Sequence, residues 1–121
     1  MDRLFSFEKL EAYQISRDLA KDVYLLTKQF PKYEIYGLSD QIRRAVVSVS
    51  SNLAEGTGKQ TSKEKAHYTS ISFSSLMEVL CQLQIAIDLQ YIDQLEYDKI
   101  RPTIKKLAVY LSKLRKAQLN F

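Results

Sequence analysis

His67 is the only histidine and Cys81 the only cysteine in the 121-residue chain, so the side chains that most often bind metals or attack substrates are nearly absent. Glu64 stands one helical turn before His67. The two would supply at most two ligands, where a closed metal site needs about four. Cys81 has no partner for an intramolecular disulfide, and beside Leu80 and Leu83 it reads as a small buried hydrophobe. The run Glu55-Gly56-Thr57-Gly58-Lys59-Gln60-Thr61 has the composition of a phosphate loop but not its spacing, because Gln60 separates Lys59 from Thr61 and a helical pattern, not a strand, precedes it. A helix cap and connection accounts for it better. No nucleophile is spaced to meet a base, so the chain is expected to be no enzyme and to need no metal or cofactor.

Two constellations remain. Lys99, Arg101, Lys105, Lys106, Lys113 and Lys116 fall on an arc opposite the apolar seam of a C-terminal helix, while Arg115 lies off that arc. Such an arc suits a phosphate backbone and reads little sequence. The same lysines also fit a solvated face that maintains solubility. The second constellation is a polar seam of Gln41, Arg44, Ser48, Asn52 and Glu55. From Arg44 onward its members follow at steps of four, four and three, which permits a hydrogen-bond ladder fixing the register between helices or subunits. A ligand site and plain solvent exposure are the other readings of it. The eight tyrosines could stack on bases, but Tyr13 and Tyr24 lie in or beside core patterns.

The whole positive excess sits in the C-terminal segment, where it fits either a polyanion contact or a solvated face. The net charge is +4, and residues 94–121 hold seven basic and two acidic groups, whereas residues 1–37 hold six of each. With 45% hydrophobic and 26% charged residues the chain can bury a core. Its length suits one domain over residues 1–121. No apolar stretch approaches the roughly 20 residues of a membrane span, neither terminus shows a basic segment followed by an apolar run, and a cytoplasmic location is the expectation.

The elements that must position these residues are helices, since only three glycines and two prolines interrupt the sequence. Leu10, Tyr13, Leu19, Val23, Leu26 and Phe30 form one stripe, giving a helix over about 7–30 that Pro31 stops. A second helix is expected over 39–56, with Ser39 as N-cap and Gly56 and Gly58 supplying the backbone freedom of a C-cap. Ile42, Ala45, Val46, Val49 and Leu53 are its core face. A third, over 62–91, opens on Thr61 and Glu64 at capping-box spacing and buries Phe73, Leu76, Met77, Leu80, Leu83 and Ile87. A fourth, over 95–117, carries Ile100, Ile104, Leu107, Leu111 and Leu114. Pro102 either delays its start to near Arg101 or kinks it. Four helices with short connections predict an all-α, antiparallel up-down four-helix bundle.

The run from Phe30 through Pro31, Tyr33, Glu34, Tyr36, Gly37 and Leu38, followed by Gln41-Ile42-Arg43-Arg44-Ala45-Val46-Val47-Ser48-Val49-Ser50-Ser51-Asn52-Leu53-Ala54-Glu55-Gly56, resembles the bacterial four helix bundle family. Its members are encoded in intervening sequences of large-subunit ribosomal RNA genes. The likeness runs from about Phe7 to Leu114 and includes Ser74-Ser75-Leu76-Met77-Glu78. Ser50 stands where the family commonly has proline, which predicts a straighter second helix. The resemblance implies an up-down protomer and a five-membered ring. It also implies kinship with accessory proteins of diversity-generating retroelements, whose basic rings engage nucleic acid and a reverse transcriptase. The expected role is a homo-oligomeric accessory that binds RNA or DNA. The alternative is a scaffold for a protein partner, for which Val47, Ala54 and Val109 are candidate contacts because they face away from their helices' main stripes; subunit contacts are the other reading of the same three residues.

Overall fold

A computed structural model describes residues 5–120. Four α-helices dominate it: α1 (Glu11–Thr27), α2 (Leu38–Thr57), α3 (Ser62–Asp88) and α4 (Gln94–Leu119). Each packs against its two sequence or ring neighbours, α1 on α2, α2 on α3, α3 on α4 and α4 on α1, with the α2–α3 and α3–α4 seams the most extensive. Hydrogen bonds give the direction of each pair. Ser16 meets Ser50 and Thr27 meets Arg43 across α1–α2, while Ser48 meets Ser75 and Gln41 meets Gln82 across α2–α3. Gln84 meets Tyr97 and Thr69 meets Gln118 across α3–α4. In every pair one number rises as the other falls, so all neighbours are antiparallel. The expected up-down four-helix bundle is the observed fold.

The core is one cluster drawn from all four helices, with Leu19, Val23, Ile42, Val46, Val49, Leu76, Val79, Leu83, Leu107 and Leu111 fully enclosed. These are the stripes that the 3.6-residue repeat makes continuous, and their burial is the main force holding the bundle together.

Helix ends differ from the sequence pattern, each for a local reason. The first helix does not run from residue 7 to 30. Ser6–Lys9 is a 3₁₀ turn in which the Glu8 carboxylate accepts the Phe5 amide, Leu10 is extended, and α1 starts only at Glu11. At the other end the amides of Lys28, Gln29 and Phe30 bond three residues back, tightening the chain out of α-geometry before Pro31. The second helix starts at Leu38, with Gly37 before it, and not after Ser39; Ser39 is buried in the first turn. Glu34, ending a second 3₁₀ turn over Lys32–Glu34, supplies the acceptor for the Leu38 amide. α3 stops at Asp88, three residues short of Tyr91. Gln90 turns left-handed at φ 63°, and the Tyr91 amide closes back onto the Ala86 carbonyl, which is a Schellman ending.

α4 begins beyond Asp93, whose carboxylate accepts the Glu96 amide while Glu96 accepts the Asp93 amide. Pro102 lies within the helix, which does not start at Arg101. Thr61 caps α3 as its spacing with Glu64 predicted. Neither Gly56 nor Gly58 has a positive φ, so neither is there for left-handed freedom. Gly56 is buried, and a Cβ on it would lie 2.7 Å from the Tyr68 Cβ, so its missing side chain lets α2 and α3 approach closely there.

Two expectations are corrected. Cys81 is exposed on the outer side of α3, because that side turns away from both α2 and α4. α3 also contains an 18-residue window of mean hydropathy 1.4 with at most two charged residues, so by length and composition it could cross a membrane. Ser72, Ser75 and Gln82 punctuate it and bond to α2, as core helices of bundles do.

Candidate nucleic-acid interface

α4 presents its seam of Tyr97, Ile100, Ile104, Leu107 and Leu111 to the bundle, so the positions between them face outward. Lys99, Arg101, Lys105, Lys106, Lys113 and Lys116 are all exposed there. From Lys99 to Lys116 the helix rises about 25 Å. Among the described residues the single ion pair is Arg44 with Asp40 at 2.9 Å, so none of the six is neutralised by a carboxylate.

They are not equivalent. The Arg101 guanidinium donates to the Tyr97 hydroxyl one turn back and lies 5.8 Å from that ring's centre, which holds it against the helix. Lys106 stands 5.8 Å from the centre of the Tyr110 ring. Lys99 lines a crevice with Asp22, Leu25, Gln29 and Glu96 where α1 ends and α4 begins. The Gln29 amide donates to Glu96 there. Lys105, Lys113 and Lys116 make no hydrogen bond or ion pair among the described residues. Arg115, off the arc, donates to the Ser70 hydroxyl at 2.7 Å and ties α4 to α3.

The polar seam of α2 divides into separate contacts, with no continuous ladder. Arg44 turns to Asp40 on its own helix. Ser48 reaches Ser75 at 2.8 Å, and the Asn52 amide donates to both the carbonyl and the hydroxyl of Ser48. Gln41 accepts from Gln82, which also donates to Glu78. Gln82 is buried, and its carbonyl oxygen has no donor among the described residues. Glu55 is exposed and makes no hydrogen bond among the described residues. Only Gln41 and Ser48 cross to α3, so the seam runs along the edge between α2 and α3.

Four contacts escaped the sequence pattern. Ser16 and Ser50 pair their hydroxyls at 2.8 Å inside the α1–α2 contact, and Ser72 donates to the Val49 carbonyl in the core. Ser50, where family members commonly have proline, thus bonds across helices within an uninterrupted α2. Arg43 stacks 4.8 Å from the Tyr24 ring centre and donates to Thr27. Glu34 and Tyr91 join the two inter-helix connections at one end of the bundle. A serine mid-helix gives no advance sign of which neighbour it will meet. The Arg43 and Tyr91 contacts depend on tertiary placement.

His67 is exposed with its ring edge against Tyr68, and no group of three metal-ligating side chains occurs among the described residues. Of the tyrosines, Tyr33 and Tyr36 are the most open, at 78% and 92% exposure, on the α1–α2 connection and away from the arc's C-terminal half.

Known proteins agree with this architecture. A crystal structure of a protein of unknown function from the S23 ribosomal protein family of Bacteroides thetaiotaomicron superposes with a TM-score of 0.77 at 19% identity. The match covers 87% of this chain and 98% of that one, and at such identity it speaks for the fold alone. No curated protein matches the chain. A family model described as 23S rRNA-intervening sequence protein matches residues 8–113, nearly the whole bundle. The chain therefore belongs to the 23S rRNA-intervening sequence protein family.

Proposed function

We propose that this protein is a non-enzymatic, homo-oligomeric accessory of nucleic acid or ribonucleoprotein, resident in the cytoplasm, that grips phosphates through the outer surface of α4. The supporting observation is the row of exposed lysines on α4 with no carboxylate partner, Lys105, Lys113 and Lys116 foremost. Charges left unpaired over about 25 Å of one helix attract a polyanion by releasing its counterions, with affinity and salt dependence set by how many phosphates are met. The family's name, which ties its members to intervening sequences of 23S rRNA, is consistent with that partner class. Five copies per assembly is the number that the resemblance implies, and assembly would multiply the arc around a common axis.

A protein-binding scaffold is the second reading. It is favoured by the exposure of Val47 and Val109 at 43% and 45%, outside the core. Ala54, the third candidate, is half-buried.

Light scattering on the purified chain, alone and with single- and double-stranded RNA and DNA at two salt concentrations, separates these. The first reading expects an oligomer that binds in a salt-sensitive way. An oligomer indifferent to every nucleic acid would reject it in favour of the scaffold.

A further inference from the structure

The outer surface of the bundle is strongly asymmetric. α4 carries its lysines and α1 alternates Glu11, Arg17, Asp18, Lys21 and Asp22, as water-facing helices do. α3 does not. From Tyr68 to Ile87 its only charged residue is Glu78, and only 33% of its most apolar window is buried within the chain. Its outward side holds Glu78, Cys81, Ile85 and Leu89 at helical spacing, with Ile85 and Leu89 at 42% and 49% exposure. This is an apolar ridge with Glu78 at one end and Asp88 at the other, beside exposed Ser74 and Gln84. Around the corner, where α1 meets α2, lies an open groove of about 640 Å³ lined by Tyr24, Arg43, Arg44, Val47 and Ser51 among others. It is apolar at Val47 and Tyr24; Asp40 also lines it and pairs with Arg44, which leaves Arg43 as its uncompensated positive charge.

Resting on the homo-oligomer reading, we infer that the α3 ridge of one copy seats in the α1–α2 groove of the next. Both halves of the contact are on this chain, and their chemistry matches: Ile85 and Leu89 against Val47 and Tyr24, Glu78 against Arg43. Charge complementarity of this kind fixes register and orientation. The ridge from Glu78 to Leu89 is roughly 17 Å long. A nucleic acid does not fit the ridge, because its charges are acidic. An anionic membrane does not fit it for the same reason. Since ridge and groove are different patches, the contact is heterologous, and each copy offers a free half to the next until a ring closes.

The test uses one variant broken in each half, Val47→Lys in the groove and Ile85→Lys in the ridge, both at exposed sites and each checked for a parent-like helical melt. Each alone should run in light scattering at the 14.0 kDa of one chain. Their equimolar mixture should give a dimer and nothing larger, because only one good ridge and one good groove remain to pair. The Cys81 thiol should be protected in the parent and reactive in both variants. Ser51→Lys and Cys81→Lys form a second pair if either first variant does not fold, with mass as the readout. Variants that keep the parent's mass, or a mixture that stays monomeric, would overturn the inference and leave the oligomer reading standing. A monomeric parent would overturn both.

Discussion

The Tyr91 hydroxyl donates to one carboxylate oxygen of Glu34 at 2.6 Å, while the other oxygen of Glu34 accepts the Leu38 amide at 3.0 Å. One side chain thus starts α2 and ties the α1–α2 connection to the α3–α4 turn, 57 residues away. The Leu38 amide first, and the Tyr91 hydroxyl second, hold the Glu34 carboxyl below its ordinary value. The bond to Glu34, and then that to Tyr33, push the Tyr91 phenol above its own.

Linkage gives both pH branches. Because Glu34 is depressed in the folded state, its contribution is complete above the ordinary value of 4.5 and is lost as pH falls through the lowered one. Tyr91 is raised, so its contribution is complete below 10.0 and is lost as pH climbs above that. Glu34→Gln should lower the thermal midpoint at pH 7 and flatten the acid branch, and Tyr91→Phe should flatten the alkaline branch. Melts from pH 2 to 11 read this directly, and unchanged branches would remove the pair from the account.

Gly56→Ala tests the tight α2–α3 approach. Its new methyl would meet the Tyr68 Cβ at 2.7 Å, and since Tyr68 is fixed to α3 the helices must part. Overpacking of this kind costs about 1–3 kcal/mol, even though alanine is the better helix former. Chemical denaturation would measure it. A stabilised variant would show that the contact yields.

Gln90→Gly should act in the opposite direction. Gln90 is the only described non-glycine residue with a positive φ, and it ends α3 in the geometry that glycine adopts without a Cβ clash. Relieving that clash should stabilise the fold by about 1 kcal/mol in the same denaturation experiment. A loss of stability would mean that the Gln90 side chain contributes more than its strain costs.

Much of the bundle was legible in the sequence because its signals are local. The stripe Ile42, Ala45, Val46, Val49 and Leu53 is buried in full, and Thr61 caps α3 onto Glu64. What misled was local signal overruled by distant contacts. Ser39 resembles an N-cap, yet Glu34 reaches the Leu38 amide first. Gly56 resembles a C-cap, yet its reason is Tyr68 on another helix. Cys81 has apolar sequence neighbours, but the α3 core stripe passes on the other side of the helix and leaves it exposed. The seam of α2 was visible as a pattern, whereas its division between Asp40, Ser75 and Gln82 depends on side-chain directions that spacing does not set. The α4 arc was visible in number and position. Its graded freedom, with Arg101 drawn onto Tyr97 and Lys105 left open, was not.

The central claim is that the α4 lysines meet phosphates, and the salt dependence of nucleic-acid binding by the parent and by Lys105→Glu/Lys113→Glu tests it most directly. The parent should bind RNA or DNA with log affinity falling linearly in log salt. The double variant should bind more weakly, with a slope shallower by roughly 2 for each bound protomer. Identical affinity and slope in both proteins would contradict the assignment of these lysines.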